Sequence, residues 1–459
     1  MKAIGRPAMW NALGTRFLPF ADAATPELPL SRLLRLSLFQ VSVGMCAVLL
    51  TGTLNRVMIV ELGLHAWVVS AMVSLPLLFA PLRALIGHKS DHHRSVLGWK
   101  RVPYIWFGTM AQFGGLAIMP FALLVMTMGS ASVVLGQVTA AIAFLLVGAG
   151  MHTTQTAGLA LATDLAEEEN APRVVALLYV MLLIGMMISA LIMGRVLADY
   201  TPTRLAAVVQ GAAVLTVLLN VAALWKQEAR TPSTMVAAPG PDFRTEWRQF
   251  VREGSNLRLL VAVGFGAAAF AMQDVLLEPY GGQMLGLSVG ATTSLTALWA
   301  TGTLCAFALA ARALSGNGEP HRVAGFGCVA GVAAFAMIIF AAPAQSPMLL
   351  AVGATLMGFG GGLFSIGTLT ATMRLSKDGE RSGLALGAWG AVQASSAGTA
   401  IVVGGLARDW IGMQGYAVVY SAEIVLLIAT LVAVGPLVRP ASEFVARTNR
   451  PFGLAEFPA

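Results

Sequence analysis

In the run FAMQDVLLEPYGGQMLG, residues 270–286, two carboxylates, Asp274 and Glu278, stand four residues apart in otherwise apolar sequence. On a helix that spacing puts both side chains on one face. Two carboxylates so close do not readily ionise together, so the chemistry on offer is a neutral acid, a paired cation or proton exchange. Pro279, Gly281 and Gly282 predict that the helix ends or kinks just after Glu278. The alternative for Glu278 is an interfacial position within reach of water.

Arg56, in GTLNRVMIVELG, is the natural cation for such a pair, and it also lies near enough to the end of its apolar run to reach the interface instead. His152 stands in VGAGMHTTQTAGLALATDLA, in mid-run beside Thr153, Thr154, Gln155 and Thr156. An imidazole there can ligate a metal, shuttle a proton or hydrogen-bond across helices. Each such group costs roughly 2.5–3.5 kcal/mol at the centre of a bilayer, so each needs a partner or a purpose. Cys46, Cys305 and Cys328 fall in apolar runs without metal-ligand spacing and read as small packing residues.

The elements that must hold these residues follow from composition. Of 459 residues, 57% are hydrophobic and 11% charged, where a soluble domain carries about 25% charged. Apolar stretches long enough to cross about 30 Å of hydrocarbon recur throughout. They are expected at 34–60, 65–87, 103–127, 132–161, 173–198, 204–225, 257–281, 290–313, 322–342, 346–373, 382–406 and 413–437. Inside a bilayer the backbone must bond to itself, so each is a helix. The fold class is therefore an all-α polytopic membrane protein with twelve transmembrane helices in two six-helix halves.

The halves span 34–225 and 257–437, joined by a polar linker, 226–256, with a short amphipathic helix near 243–251. A segment 1–33, too polar and proline-broken for a cleavable signal, precedes them, and a tail, 438–459, follows. Lysine and arginine crowd the loops on one side, which places both termini in the cytoplasm. The net charge of +7 is thus accounted for by topology and calls for no nucleic acid.

Echoes between the halves, RALIG at 83–87 with RALSG at 312–316 and GRVLADY at 194–200 with GGLARDW at 404–410, suggest parallel repeats. That is the arrangement of major facilitator transporters. The loop GHKSDHHRSVLGWKRVPY resembles the loop signature of that superfamily, with Gly87, Asp91, Arg94 and Arg101 in the matching roles. The glycine turns the backbone and the acid faces a helix N-terminus or an arginine. A basic loop that only sets topology is the plainer alternative.

The strings LRLSLFQVSVGM, GTLNRVMIVELG, GWKRVPYIWFGT, QTAGLALATDLA and MQDVLLEPYGG resemble those of the PucC/LhaA family of purple photosynthetic bacteria, over nearly the whole chain. The resemblance implies a bacteriochlorophyll-delivery branch of the major facilitator fold, a non-enzymatic light-harvesting assembly factor of the photosynthetic inner membrane. Implied partners are core or peripheral antenna polypeptides, pigment-synthesis enzymes and membrane lipids. With it, His152 becomes a candidate ligand for the pigment's magnesium, with Gln155 or a nearby threonine orienting the imidazole and Gly148, Gly150, Ala157 and Gly158 admitting the macrocycle; a backbone carbonyl or a water is the alternative axial ligand. Asp274, Glu278 and Arg56 become a polar handle in the cavity or at its rim. The rival reading is a proton-coupled transporter of a smaller solute with Asp274 and Glu278 as coupling groups. A pigment-synthesis enzyme finds no support in the sequence, which offers no Asp-rich magnesium motif, nucleotide loop or activated nucleophile.

Overall fold

The computed structural model describes residues 28–79, 99, 101–128, 130–166, 171–228, 254–314, 318–375 and 382–438. Twelve helical rods follow one another through them: α1 (Leu30–Glu61), α2 (66–79), α3 (Val102–Met126), α4 (Ser130–Leu165), α5 (Ala171–Val196), α6 (Pro202–Leu224), α7 (254–285), α8 (Val289–Leu314), α9 (Pro320–Ala341), α10 (Pro347–Leu375), α11 (Ser382–Ile411) and α12 (Gly415–Val434). Nine stretches among the described residues are long and apolar enough to cross a membrane, one of them holding both α11 and α12; α2 and the first piece of α7 are shorter apolar helices. Most rods are apolar all round, so one side packs on protein while Phe107, Phe121, Phe326 and Val432 face outward. Residues 243–251, Gly87, Asp91 and Arg94 lie outside the described residues.

Within the first six helices α1 packs on α5, and α3 on α4 and α6; within the last six, α7 packs on α11 and α12, and α10 on α8 and α9. The two sets meet where α5 crosses α8 and α2 crosses α11. Both crossings close on missing side chains. A Cβ on Gly290 of α8 would lie 2.1 Å from the Gly194 carbonyl oxygen of α5, and one on Gly405 of α11 would lie 2.2 Å from Ser70 Oγ of α2. Gly194 opens one echoed motif and Gly405 is the second residue of the other, so each crossing falls on an echoed segment. Both crossings lie toward the turn between α1 and α2, called here the Arg56 end.

One departure from expectation shapes the interior. The helix through residue 257 onward opens before Glu278, not after it: α7 runs Gly254–Ala271, turns over 272–276 and restarts as a short helix, Leu277–Leu285. Pro279 explains the shift. It has no N–H to give to the carbonyl of Val275, and its ring would strike that carbonyl, whereas in the first turn of a new helix it is tolerated. The restarted helix ends on Gly286, whose left-handed φ of 65° is cheap only without a side chain.

At the start of α9, Glu319 accepts from the Arg322 amide at 3.0 Å and meets the His321 ring at 2.7 Å. Burial alone would push its carboxyl up, yet the His321 hydrogen bond and charge and the backbone amides hold it below its ordinary 4.5. A lowered folded value means the stabilisation is present above pH 4.5 and is lost as the pH falls through the folded value. Glu319→Ala is expected to cost about 1 kcal/mol at neutral pH. Thermal midpoints in detergent check this: the gap from the parent chain should close in acid.

Candidate functional site

The deepest cluster of charge gathers where α1 meets α7 and α8. On either side of Arg56 the first helix widens into i→i+5 turns, at Leu49–Thr53 and Val57–Glu61. Such turns concentrate at functional positions because they re-aim side chains without ending the helix. Here Arg56 is aimed inward. It is 4% exposed, pairs through Nη1 with Glu61, and donates from Nη2 to the Leu287 carbonyl at 3.0 Å. Snorkelling is therefore not its role; Glu61, a third exposed, is the member that reaches outward.

Glu278 is buried and satisfied, which removes the interfacial alternative. Oε1 accepts from Thr296 at 2.8 Å and Oε2 from Thr293 at 3.4 Å, while Thr293 meets the Thr53 hydroxyl of α1 at 3.2 Å. Arg56 lies within electrostatic reach. Gly52 of α1 makes room: a Cβ there would fall 2.3 Å from Glu278 Oε1.

Asp274 does not stack over Glu278, because the turn at 272–276 removes the helical register that would align them. Its Oδ1 accepts from Gln273 Nε2 at 2.8 Å, its carbonyl receives the Asn55 amide at 3.3 Å, and the like charge it faces is Glu423 of α12. The expected pair is thus two separate acids with different partners.

His152 is half-buried on α4, one turn from Gln155, whose Nε2 reaches Gln40 Oε1 of α1 at 3.4 Å. The glycines expected to admit a macrocycle beside it are filled by neighbours. A Cβ on Gly148 would meet Pro76 at 2.2 Å, one on Gly150 the Gly108 carbonyl at 2.5 Å, and one on Gly158 the Phe39 ring at 2.6 Å. These faces of α4 serve close helix packing, and in this conformation they do not fit a chlorin. Nearby, Gln112 donates to Thr154 at 2.9 Å and receives the Cys46 thiol at 3.4 Å; Ser42 donates to Asn220 at 2.8 Å, and Asn220 to Thr109 at 2.9 Å. This net ties α1, α3, α4 and α6.

At the opposite end, Arg101 is the member of the loop signature among the described residues. Its Nε donates to Asp164 of α4 at 3.0 Å. The amides of Arg101 and Val102 donate to the Glu228 carboxylate at 3.0 and 2.9 Å, an anion set on the positive N-terminus of α3.

Sequence reasoning passed over Glu423, a lone acid in the apolar run of α12, although its isolation was the signal. It also passed over Arg408 and Asp409, adjacent in GGLARDW. Arg408 Nη2 and the Tyr416 hydroxyl both donate to Gln283 Oε1 at 2.7 Å, and Asp409 takes the Trp67 amide of α2 at 2.8 Å. Among the described residues no three His, Cys, Asp or Glu side chains gather as a metal site.

An all-helical bundle with paired halves and charge buried between them defines a multi-pass membrane protein of the major facilitator fold. The structure of a mutant of the nucleoside transporter NupG superposes with a TM-score of 0.68, at 14% identity, covering 88% of this chain and 99% of that one. Residues 53–442 match the family model described as PUCC protein. The chain belongs to the PucC family. It is 57% identical to Protein PucC of Rhodovulum sulfidophilum, over 88% of this chain and 91% of that protein. It is 53% identical to an uncharacterised protein in the puhA-bchM intergenic region of Rhodobacter capsulatus, over 98% of both. A more distant relative, 28% identical over 88% of this chain and 95% of that protein, is the bacteriochlorophyll synthase 44.5 kDa chain of Rhodobacter capsulatus.

Proposed function

We propose that this protein is a light-harvesting antenna assembly factor that binds bacteriochlorophyll as cargo and delivers it to antenna apoproteins in the photosynthetic inner membrane, without catalysing a reaction. The observation that carries the reading is family membership running from residue 53, late in α1, to residue 442, joined to a relative whose name contains the pigment. The fold suits such work, since helices that pack on protein on one side and lipid on the other give a chlorin an apolar route. The chain's own residues supply the frame: Arg56, Glu61 and Glu278 lock α1 to α7 and α8, and Arg101 locks α3 to α4.

The test is the absorption spectrum of the gently solubilised protein with the identity of the polypeptides that accompany it. Bacteriochlorophyll absorbance together with antenna polypeptides is the expected result; a colourless preparation without them overturns the reading. His152→Leu then places the cargo. Loss of pigment from a folded variant marks His152 as a ligand exposed when α4 parts from its neighbours, and unchanged pigment marks it as an interhelical hydrogen-bonding group.

A second reading, a proton-coupled transporter of a small solute, draws on Asp274 and Glu278 lying deep in α7. Pigment in the purified protein separates the two.

A further inference from the structure

We propose that Glu423 of α12 and Asp274 of α7 together form a proton-binding site at the break in α7, holding one proton between them. This goes beyond the assembly role and stands whichever cargo the protein carries.

Glu423 lies in YSAEIVLLIAT and is 0% exposed. Among the described residues neither of its carboxylate oxygens completes a hydrogen bond, although it faces the Gln273 backbone amide and the Asp274 carboxylate. The side-chain oxygen of Gln273, buried, also stands without a partner, and against these acceptors the donors on hand are the Gln273 backbone N–H and the Tyr420 hydroxyl, which is itself unpartnered. The Gln273 amide nitrogen is already committed, to the Phe270 carbonyl at 3.3 Å and to Asp274 at 2.8 Å. The pocket therefore holds more acceptors than donors.

A buried carboxylate short of donors is poorly tolerated in an apolar interior, and a second carboxylate facing it makes matters worse. One proton relieves both faults. It removes a like charge and turns an acceptor into a donor that Gln273 or the other carboxylate can receive. Glu278 shows the contrast in partners: two threonine hydroxyls donate to its oxygens and Arg56 is in reach.

No other titratable group answers Glu423 directly. Tyr420 sits beside it on α12, with Tyr280 of α7 and Tyr416 of α12 packed around that ring; α9 contributes the Phe335 ring, stacked on Tyr420 at 6.2 Å. From α11, Arg408 and Asp409 turn to Tyr416, Gln283 and each other. Because Gln273 and Asp274 belong to the turn at 272–276, filling or emptying the site acts on the joint between the two pieces of α7.

Infrared absorption of the purified protein in detergent, titrated over pH, tests the proposal. A protonated-carboxyl band persisting at neutral pH is expected in the parent chain, lost in Glu423→Gln, moved along the pH axis in Asp274→Asn and retained in Glu278→Gln. Size-exclusion profiles identify folded variants, and if Glu423→Gln does not fold, the Asp274→Asn shift decides. A band unchanged in both Glu423→Gln and Asp274→Asn overturns the proposal. So does a parent chain that shows no band and responds instead to added sodium or potassium, because a metal cation then fills the acceptors.

Discussion

Arg56→Gln is expected to destabilise the bundle by about 3 kcal/mol, the lower part of the range for breaking one side of a buried ion pair, because Glu61 keeps partial access to water. The loss has two sources. The Glu61 carboxylate is left without its partner, and the carbonyl of Leu287, between α7 and α8, loses the donor that holds it to α1. Thermal midpoints in detergent read the stability, and antenna accumulation in a complemented strain reads the function; both should fall. Adding Glu61→Gln to Arg56→Gln should recover part of the stability, since the stranded charge is then gone. A variant that matches the parent chain in both measurements would show that the guanidinium contributes neither to the joint nor to its work.

Gly290→Val is expected to be at least as damaging, through geometry alone. The new Cβ would stand 2.1 Å from the Gly194 carbonyl and 2.8 Å from Ala198 Cα, and both are backbone atoms that cannot step aside. Overpacking costs typically 1–3 kcal/mol and occasionally more; with rigid backbone on both sides this site falls at about 3 kcal/mol or above, and the relief available is separation of α5 from α8. Cysteines placed on facing positions of α5 and α8 near that crossing should crosslink readily in the parent chain and poorly in the variant. Equal crosslinking in both would mean that the helices slide past one another without parting. Gly211, with open space where its Cβ would be, is the matched control.

Much of this architecture was legible because hydropathy acts over long windows. The twelve spans reappear as twelve rods, and RALSG aside, the motif echo that suggested duplication lands on the two inter-half crossings. The site was legible in type and not in geometry. Arg56, Asp274 and Glu278 announced themselves as costly groups in apolar runs, but their partners depend on local winding. The wide turns flanking Arg56 and the turn at 272–276 each break the 3.6-residue count on which a face is predicted. Pro279 was the correct signal read in the wrong direction, since proline acts on the carbonyl four residues before it. The glycines of α4 show the opposite limit: a missing side chain means room, and sequence does not say whether a ligand or a neighbouring helix takes it.

The glycine crossings at the Arg56 end carry a mechanical consequence. At the α5–α8 crossing, backbone lies on backbone, so there is no rotamer to unlock there, whereas the α2–α11 crossing closes on the Ser70 side chain. Cohesion at the first is short-ranged dispersion, of which a gap of 0.5–1 Å forfeits about a quarter to a half. The α5–α8 joint behaves like a ground-glass stopper, seated or out, while the α2–α11 crossing adds the Trp67–Asp409 hydrogen bond as a thin ring of wax. Separation of α5 from α8 is then abrupt, lost within a small gap and not let out by degrees.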